Sequence, residues 1–297
     1  MTSSFHSRQD QEPRSSGRPT ILLGAQASRL GTVRGIVRDM SEQRFFAADL
    51  DLRSTWLAPS WPQVAADASR SMIRIRSAWI TGVIVGPATR SRLHRLSALL
   101  RGCKEELGLR TIVIPRAAHL RRGSSIGPAI QDIVSDRSRT SARIAVGVRA
   151  IDFADDRRHL DQLTAIRRMA EEWDLDIALD LTGAVSLHWE AEAAIIRLLP
   201  RLTLVRLHPW IASDGSGPTL DRQAIAHRTV AMLADQGYAG SISLAPEPVP
   251  WWTAMVAEDR GAESLARGLI LDRYDRQSRA SGLQTSPSQE IRPQDRL

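Results

Sequence analysis

The clearest pattern along the chain is an alternation of short apolar runs with amphipathic stretches. It is sharpest between residues 171 and 210, where two apolar runs at residues 176–181 and 203–208 flank a stretch with apolar side chains at helical spacing. Strands that are apolar at almost every position are covered on both faces, which is typical of parallel sheets. This segment therefore predicts a parallel βαβ unit.

The same alternation recurs along most of the chain, with a helical segment after each apolar run. Eight strands are predicted, at residues 20–25, 44–52, 80–85, 111–114, 143–148, 176–181, 203–208 and 241–245. Eight strand–helix repeats within about 250 residues predict a (β/α)8 TIM barrel. An open doubly wound sheet is the alternative that the pattern leaves open.

The barrel is predicted to occupy residues 20–272. The segments on either side, residues 1–19 and 273–297, are rich in polar and charged residues and have few apolar ones. Such segments cannot bury enough apolar surface to offset the entropy of ordering, so both are predicted to be flexible tails.

Composition narrows the class of protein. The 297 residues contain 42% hydrophobic residues and no apolar run long enough for a membrane span, which predicts a soluble, cytoplasmic protein. The single cysteine, Cys103, excludes an internal disulfide. The formal charge of +7 is spread along the chain rather than concentrated in one segment, which argues against a nucleic-acid partner.

Polar side chains follow the predicted strands at the edge where parallel barrels bind ligands. Asp180 ends the sixth strand, His208 ends the seventh and Glu247 follows the eighth. An Asp, a His and a Glu that converge could bind a divalent cation or divide the acid and base roles of a proton transfer. The ordinary alternatives are a helix cap for the aspartate and a structural hydrogen bond for the histidine.

Two further groups of residues fall near the same edge. Arginines that could bind a carboxylate or phosphate group follow four successive strands: Arg53, Arg90, Arg116 and Arg149. Tryptophans whose flat faces suit a sugar ring follow strands two, seven and eight: Trp56, Trp210, Trp251 and Trp252. A hydrophobic lid or a contact in a homo-oligomer explains the tryptophans equally well. Trp79 falls elsewhere and is predicted to be a packing residue.

From the fifth strand onward the chain resembles the xylose-isomerase-like barrels, a superfamily of sugar and sugar-phosphate isomerases and epimerases that also contains a zinc-dependent endonuclease. Three segments carry the resemblance: Asp180-Leu181-Thr182-Gly183-Ala184, His208-Pro209-Trp210-Ile211 and Gly237-Tyr238-Ala239-Gly240. They resemble, in turn, an Asp-x-Gly-His motif after strand six, a His-Leu-Lys-Asp motif after strand seven, and a Gly-Tyr-x-Gly turn before strand eight.

The resemblance implies a divalent metal (Mn, Mg, Co or Zn) held between strands five to eight, with Asp180 and His208 as ligands. It also implies proton transfer by glutamates of strands five and eight. Arg149 and Ala245 stand at those two positions, and Ala184 stands at the motif histidine. Glu247 lies two residues beyond the strand-eight position.

Three hypotheses follow. The first is a sugar or polyol isomerase or epimerase, in which Asp180, His208 and Glu247 transfer protons and Arg149 binds the substrate oxygen. Its substrate-binding residues would be Arg116 and the four tryptophans near the strand ends. The second is a barrel without catalysis that binds a sugar, a small anion or a protein partner. A nuclease is the third class, and the scarcity of histidines near the strand ends argues against it.

Overall fold

The computed structural model describes residues 20–27, 47–52, 61–79, 107–115, 142–150, 159–182, 184, 191–208, 220–245 and 276. Within them, eight parallel strands form a closed barrel in chain order, which confirms the predicted fold class. The strands are β1 (Thr20–Ala27), β2 (Ala47–Leu52), β3 (Arg74–Trp79), β4 (Thr111–Pro115), β5 (Arg143–Arg149), β6 (Asp176–Asp180), β7 (Leu202–Leu207) and β8 (Ser241–Leu244).

The barrel closes between its first and last strands. Thr20 pairs with Ser241 and Leu23 with Leu244 in a parallel register, and the backbone N–H of Thr20 donates to the carbonyl of Gly240 over 3.0 Å. Closure removes both sheet edges, so every strand of the barrel has a hydrogen-bonded neighbour on each side.

Four α-helices lie within the described ranges: α1 (Trp61–Arg70), α2 (His159–Glu172), α3 (Ala191–Leu198) and α4 (Leu220–Asp235). The buried residues of α3 are Ala191, Ala194, Ile195 and Leu198, the spacing of one helix face. That face packs against the strands, as its apolar pattern predicts. None of these four helices combines the length and the apolar character that crossing a membrane would need.

The barrel separates its buried side chains into two layers. The larger cluster lies between the sheet and the helices, and it contains outward residues of β2 to β8, such as Leu179 and Val205. The smaller cluster fills the barrel interior with one residue from each of six strands: Leu22, Trp79, Val113, Ala145, Ala178 and Leu204. Layers of interior side chains of this kind make a TIM barrel a packed core rather than a pore.

Two irregularities in strand pairing decide which side chains face the interior. In β3, Ile75 pairs with Ala48 but Ser77 pairs with Asp49, so Arg76 is an extra residue. In β7, an equivalent shift between its partners Ile177 and Ala178 leaves Thr203 as the extra residue. An extra residue reverses the inward and outward alternation beyond it. As a consequence, the barrel interior receives Ser77 and Trp79 of β3. It also receives Leu204 and Arg206 of β7.

The predicted position of the third strand was wrong. It was placed at residues 80–85, whereas β3 spans Arg74–Trp79, and residues 80–85 lie outside the described ranges. The reason is the extra residue Arg76. It interrupts the alternation of inward and outward residues in β3, so the sequence there lacks the regular pattern of a strand. A short apolar run such as residues 80–85 cannot be assigned by periodicity alone.

The turn before β8 contains two glycines with different roles. Gly237 ends α4 with a φ of 63°, a left-handed conformation that glycine adopts at little cost. The ring of Tyr238 then packs directly over Gly240, and its hydroxyl donates to the carbonyl of Ser241 over 3.0 Å. A β-carbon at Gly240 would collide with this ring and would lie 2.7 Å from the carbonyl oxygen of Thr203. The absence of a side chain at Gly240 thus allows Tyr238 and the Thr203 carbonyl to lie close to the backbone before β8.

Candidate functional site

Asp180 and His208 meet at the C-terminal ends of β6 and β7, as the sequence predicts. The Asp180 Oδ1 and His208 Nε2 atoms are 2.6 Å apart, and both side chains are almost completely buried. β6 and β7 are neighbours in the barrel, and Asp180 pairs with Arg206 in their register. His208 follows Arg206 by two residues, so its side chain faces the same side of the sheet, next to the end of β6.

Thr182 completes a triangle of polar atoms with this pair. Its hydroxyl oxygen lies 2.5 Å from Asp180 Oδ1 and 2.8 Å from His208 Nε2, and its backbone N–H donates to the same carboxylate oxygen over 2.9 Å. An aspartate side chain that accepts from the backbone N–H two residues further on closes a tight turn. The turn fixes the direction in which the carboxylate points.

The triangle determines where the protons lie. Asp180 Oδ1 and His208 Nε2 can approach to 2.6 Å only with a hydrogen between them, and the carboxylate is ionised (see below). Nε2 therefore carries the proton and donates it to Oδ1, which also accepts from the Thr182 hydroxyl. This tautomer follows from the hydrogen-bond network. Asp180 and His208 thus share one proton in a buried environment.

A second ion pair lies deeper in the barrel interior. The guanidinium of Arg206 donates to Oδ2 of Asp49 through both Nε, at 3.0 Å, and Nη2, at 2.7 Å. Both residues are buried, with 4% and 0% of their surfaces exposed, respectively. β7 and β2 are on different sides of the barrel, so the Arg206 side chain crosses the interior to reach its partner.

Two residues of β3 also contact this ion pair, one at the carboxylate and one at the guanidinium. The Ser77 hydroxyl donates to Oδ1 of Asp49 over 2.6 Å, so each oxygen of that carboxylate has a donor. The Trp79 ring lies under the guanidinium, with 4.3 Å between the ring centroid and the Arg206 Cζ atom. A cation stacked on a desolvated indole gains further electrostatic stabilisation. Asp49 and Trp79 together consequently hold the Arg206 guanidinium in place.

Arg206 also links the two ion pairs. Its Nη1 atom lies 3.7 Å from Oδ2 of Asp180, the carboxylate oxygen that does not face His208. Burial by itself would raise the pKa of Asp180, but the charge and hydrogen bond of His208, the charge of Arg206 and the hydroxyl of Thr182 outweigh it. The pKa of Asp180 is held well below its ordinary value, and the carboxylate stays ionised.

Of the remaining predicted site residues, only Arg149 lies within the described ranges. Arg149 pairs with Asp180 in the register of β5 and β6 and is half-buried, so its backbone lies beside that of Asp180, and its role in binding a substrate stays a prediction. The other predicted residues lie outside the described ranges, and their roles remain predictions: Glu247, Trp56, Arg53, Arg90, Arg116, Trp210, Trp251 and Trp252. Trp79, predicted to be a packing residue, is fully buried and also contacts Arg206.

Sequence reasoning missed Arg206 as a site residue. A charged residue in an apolar strand is ordinarily assigned to solvent, yet Arg206 precedes His208 by two positions. Residues two apart in a strand share a face, so the inward direction of His208 already implied that Arg206 faces inward. Its partner Asp49 lies within the second predicted strand, 157 positions away.

The structure was compared with solved structures, several of which share the barrel over most of their length. A 3-keto-D-glucoside 4-epimerase from E. coli is 17% identical, with a TM-score of 0.57 over 84% of this chain and 100% of the other. An L-ribulose 3-epimerase is 11% identical, with a TM-score of 0.62 over 90% of this chain and 99% of the other. The chain has the xylose-isomerase-like barrel fold.

Other structural neighbours show how widely this fold is used. A family 2 AP endonuclease from Brucella melitensis is 9% identical, with a TM-score of 0.57 over 84% of this chain and 98% of the other. Neither a protein-family model nor a curated protein sequence matches this chain. At these identities the likeness concerns the fold, and the function has to be argued from the site.

Proposed function

We propose that this barrel binds a sugar or a related polyol and transfers a proton at the carbon next to its carbonyl group. Asp180 and His208 act as the proton-transfer pair, and Arg149 binds the carbonyl oxygen. The observation that supports this most is the 2.6 Å contact between Oδ1 and Nε2 at the end of the barrel where such folds bind ligands. The likeness to sugar epimerases supports the substrate class.

The pair has the properties that proton transfer needs. It is buried, it holds one proton between two atoms, and Thr182 fixes its orientation. In the proposed reaction the C–H bond next to the carbonyl breaks, its electrons move to the carbonyl oxygen, and the pair takes the proton. The return of a proton to the opposite face of the carbon gives the epimer, and its return to the neighbouring carbon gives the isomer.

Arg149 is the described residue best placed to stabilise the intermediate. Its backbone lies beside that of Asp180, and it carries a fixed positive charge at the end of β5. An enediolate oxygen develops negative charge during the reaction, and a preorganised cation lowers the energy of that state more than that of the ketose. Replacement of Arg149 should therefore lower kcat more than it raises KM.

The test is the uptake of deuterium from solvent. The full-length protein is incubated in D2O with a panel of ketoses that includes psicose, tagatose and ribulose, the sugars named for structural neighbours. Proton NMR then reports loss of the signal at the carbon next to the carbonyl. The proposal predicts exchange with at least one ketose, and loss of exchange in both Asp180→Asn and His208→Gln.

The matched control for this test is Thr164→Val. Thr164 on α2 is also hydrogen-bonded and half-buried, but it lies outside the barrel and contacts Arg197 and Leu160. This variant should exchange deuterium as the unaltered protein does. Exchange that survives in folded Asp180→Asn and His208→Gln variants would remove the pair from the mechanism.

The low pKa of Asp180 favours a second candidate function, the binding of a sugar without turnover. A carboxylate whose pKa is held far below its ordinary value is a weak base, and its hydrogen-bond capacity is taken up by His208 and Thr182. Saturation-transfer NMR with the same panel separates the two functions. A ketose that binds but never exchanges its proton supports the binding protein and contradicts the enzyme.

A further inference from the structure

We propose that Arg206 is the resident cation of this site, which positions Asp180 and excludes a divalent metal from the Asp180–His208 pair. The inference deepens the proposed function, on which it rests for what the pair does. The resemblance of the sequence to the xylose-isomerase-like barrels implies a divalent metal at these strand ends. The contacts of Asp180, His208 and Arg206 do not fit that group.

The donor atoms of the pair are already engaged. Oδ1 of Asp180 accepts from Nε2 of His208, from the Thr182 hydroxyl and from the Thr182 backbone N–H. A metal needs a lone pair on the imidazole nitrogen, whereas the 2.6 Å contact requires that Nε2 bear a proton. Metal binding would have to break this triangle.

The other oxygen of Asp180 faces a fixed positive charge. Oδ2 lies 3.7 Å from Nη1 of Arg206, and the contacts with Asp49 and Trp79 hold the guanidinium in this position. A dication beside Asp180 would be repelled by this charge in a buried environment where screening is weak. Within the described ranges, no group of three or more His, Cys, Asp or Glu side chains could hold a metal.

Arg206 therefore acts through Asp180, as a positioning residue. It places a positive charge beside Oδ2 of Asp180 and leaves Oδ1 directed at His208. Asp49 holds the guanidinium in place, and Ser77 holds the carboxylate of Asp49.

The test is Mn²⁺ binding to the full-length protein, measured by the EPR signal of free Mn²⁺ at neutral pH after EDTA treatment and desalting. Four further proteins are compared with the unaltered one. They are Asp180→Asn, Arg206→Lys, the double variant Asp49→Asn with Arg206→Gln, and that double variant with Asp180→Asn added. The double variant removes the cation together with Asp49, so Asp49 is not left as a buried carboxylate without its nearest cation.

Unaltered protein and Asp180→Asn should give the same weak binding, because Asp180 is closed to the metal. Arg206→Lys keeps the charge and should behave in the same way. The double variant should bind Mn²⁺ about tenfold more tightly or better, and should lose this gain when Asp180→Asn is added. A merely structural role for Arg206 would not produce a gain in affinity that depends on Asp180.

Two results would overturn the inference. One is Mn²⁺ binding by the unaltered protein that Asp180→Asn abolishes, a comparison that stands even if the double variant does not fold. The other is a folded double variant that binds Mn²⁺ no more tightly than the unaltered protein. The Mn²⁺ measurement contains no sugar. Failure to exchange deuterium would therefore reject the proposed function without changing the interpretation of the Mn²⁺ result.

Discussion

The guanidinium of Arg206 on β7 crosses the barrel interior to the carboxylate of Asp49 on β2, with 2.7 Å between Nη2 and Oδ2. The two residues are 157 positions apart in the sequence, and both are buried. A buried ion pair is costly to break because removal of one partner leaves the other charge uncompensated. This pair therefore couples the two halves of the barrel.

The ion pair predicts a non-additive effect on stability. Asp49→Asn alone should lower the free energy of unfolding by about 3 kcal/mol, because the guanidinium loses its nearest anion. The double variant with Arg206→Gln replaces the pair by two neutral amides and should be less destabilised than the sum of the two single variants. Urea unfolding followed by circular dichroism measures all four proteins. Strict additivity would mean that the two side chains do not interact.

Asp180 predicts how stability depends on acidity. Its pKa in the folded protein lies below the value near 3.9 of an unfolded chain, so the folded state binds fewer protons and the ionised carboxylate stabilises it. This contribution is complete above about pH 5 and is lost as the pH falls through 4 and below. Urea unfolding between pH 7 and pH 3 should show a shallower decline for Asp180→Asn. Parallel curves for the two proteins would contradict the buried, ionised carboxylate.

The turn before β8 predicts that substitution of Gly240 lowers the free energy of unfolding through packing rather than through backbone conformation. Gly240→Ala should lower the free energy of unfolding by about 2 kcal/mol or more, because the new methyl group meets Tyr238 and the Thr203 carbonyl. The matched control is Gly108→Ala. Gly108 has a φ of 59° with open space around it, so only the backbone cost of about 1 kcal/mol remains. An equal loss in the two variants would show that the Tyr238 packing is absent.

Thr182 predicts a specific loss at the Asp180–His208 pair. Thr182→Val keeps the shape of the side chain but removes the hydroxyl that bonds to both partners, and should cost about 1 to 2 kcal/mol of stability. Thr182→Ser retains the hydroxyl and should stay closer to the unaltered protein in stability and in deuterium exchange. If the valine and serine variants behave alike, the hydroxyl is not part of the network.

The barrel itself could be predicted from the sequence because its strands are short apolar runs separated by helical segments. β5 to β8 were assigned to within one or two residues at each end. Asp180 and His208 followed from their positions at strand ends, since all parallel strands finish at the same edge of the barrel. These features depend on local pattern alone.

What the sequence could not indicate depends on strand irregularities. The extra residue Arg76 displaced the third strand in the prediction, and it is also what turns Ser77 and Trp79 into the interior. The extra residue Thr203 similarly directs Arg206 inward. Neither residue belongs to a type that marks a bulge, and the partner of Arg206 lies 157 positions away. A contact of that kind follows from the closed barrel and cannot be read from a neighbouring segment.

The proton shared by Asp180 and His208 is the feature on which both the proposed catalysis and the exclusion of a metal depend. The direct measurement is 15N–1H NMR of the protein labelled with 15N-histidine at neutral pH. The predicted result is a strongly downfield proton bonded to Nε2 of His208, absent from His208→Gln and shifted upfield in Asp180→Asn. An Nε2 of His208 without a proton in the folded, unaltered protein would contradict the pair, because Asp180 Oδ1 could not then lie 2.6 Å from it.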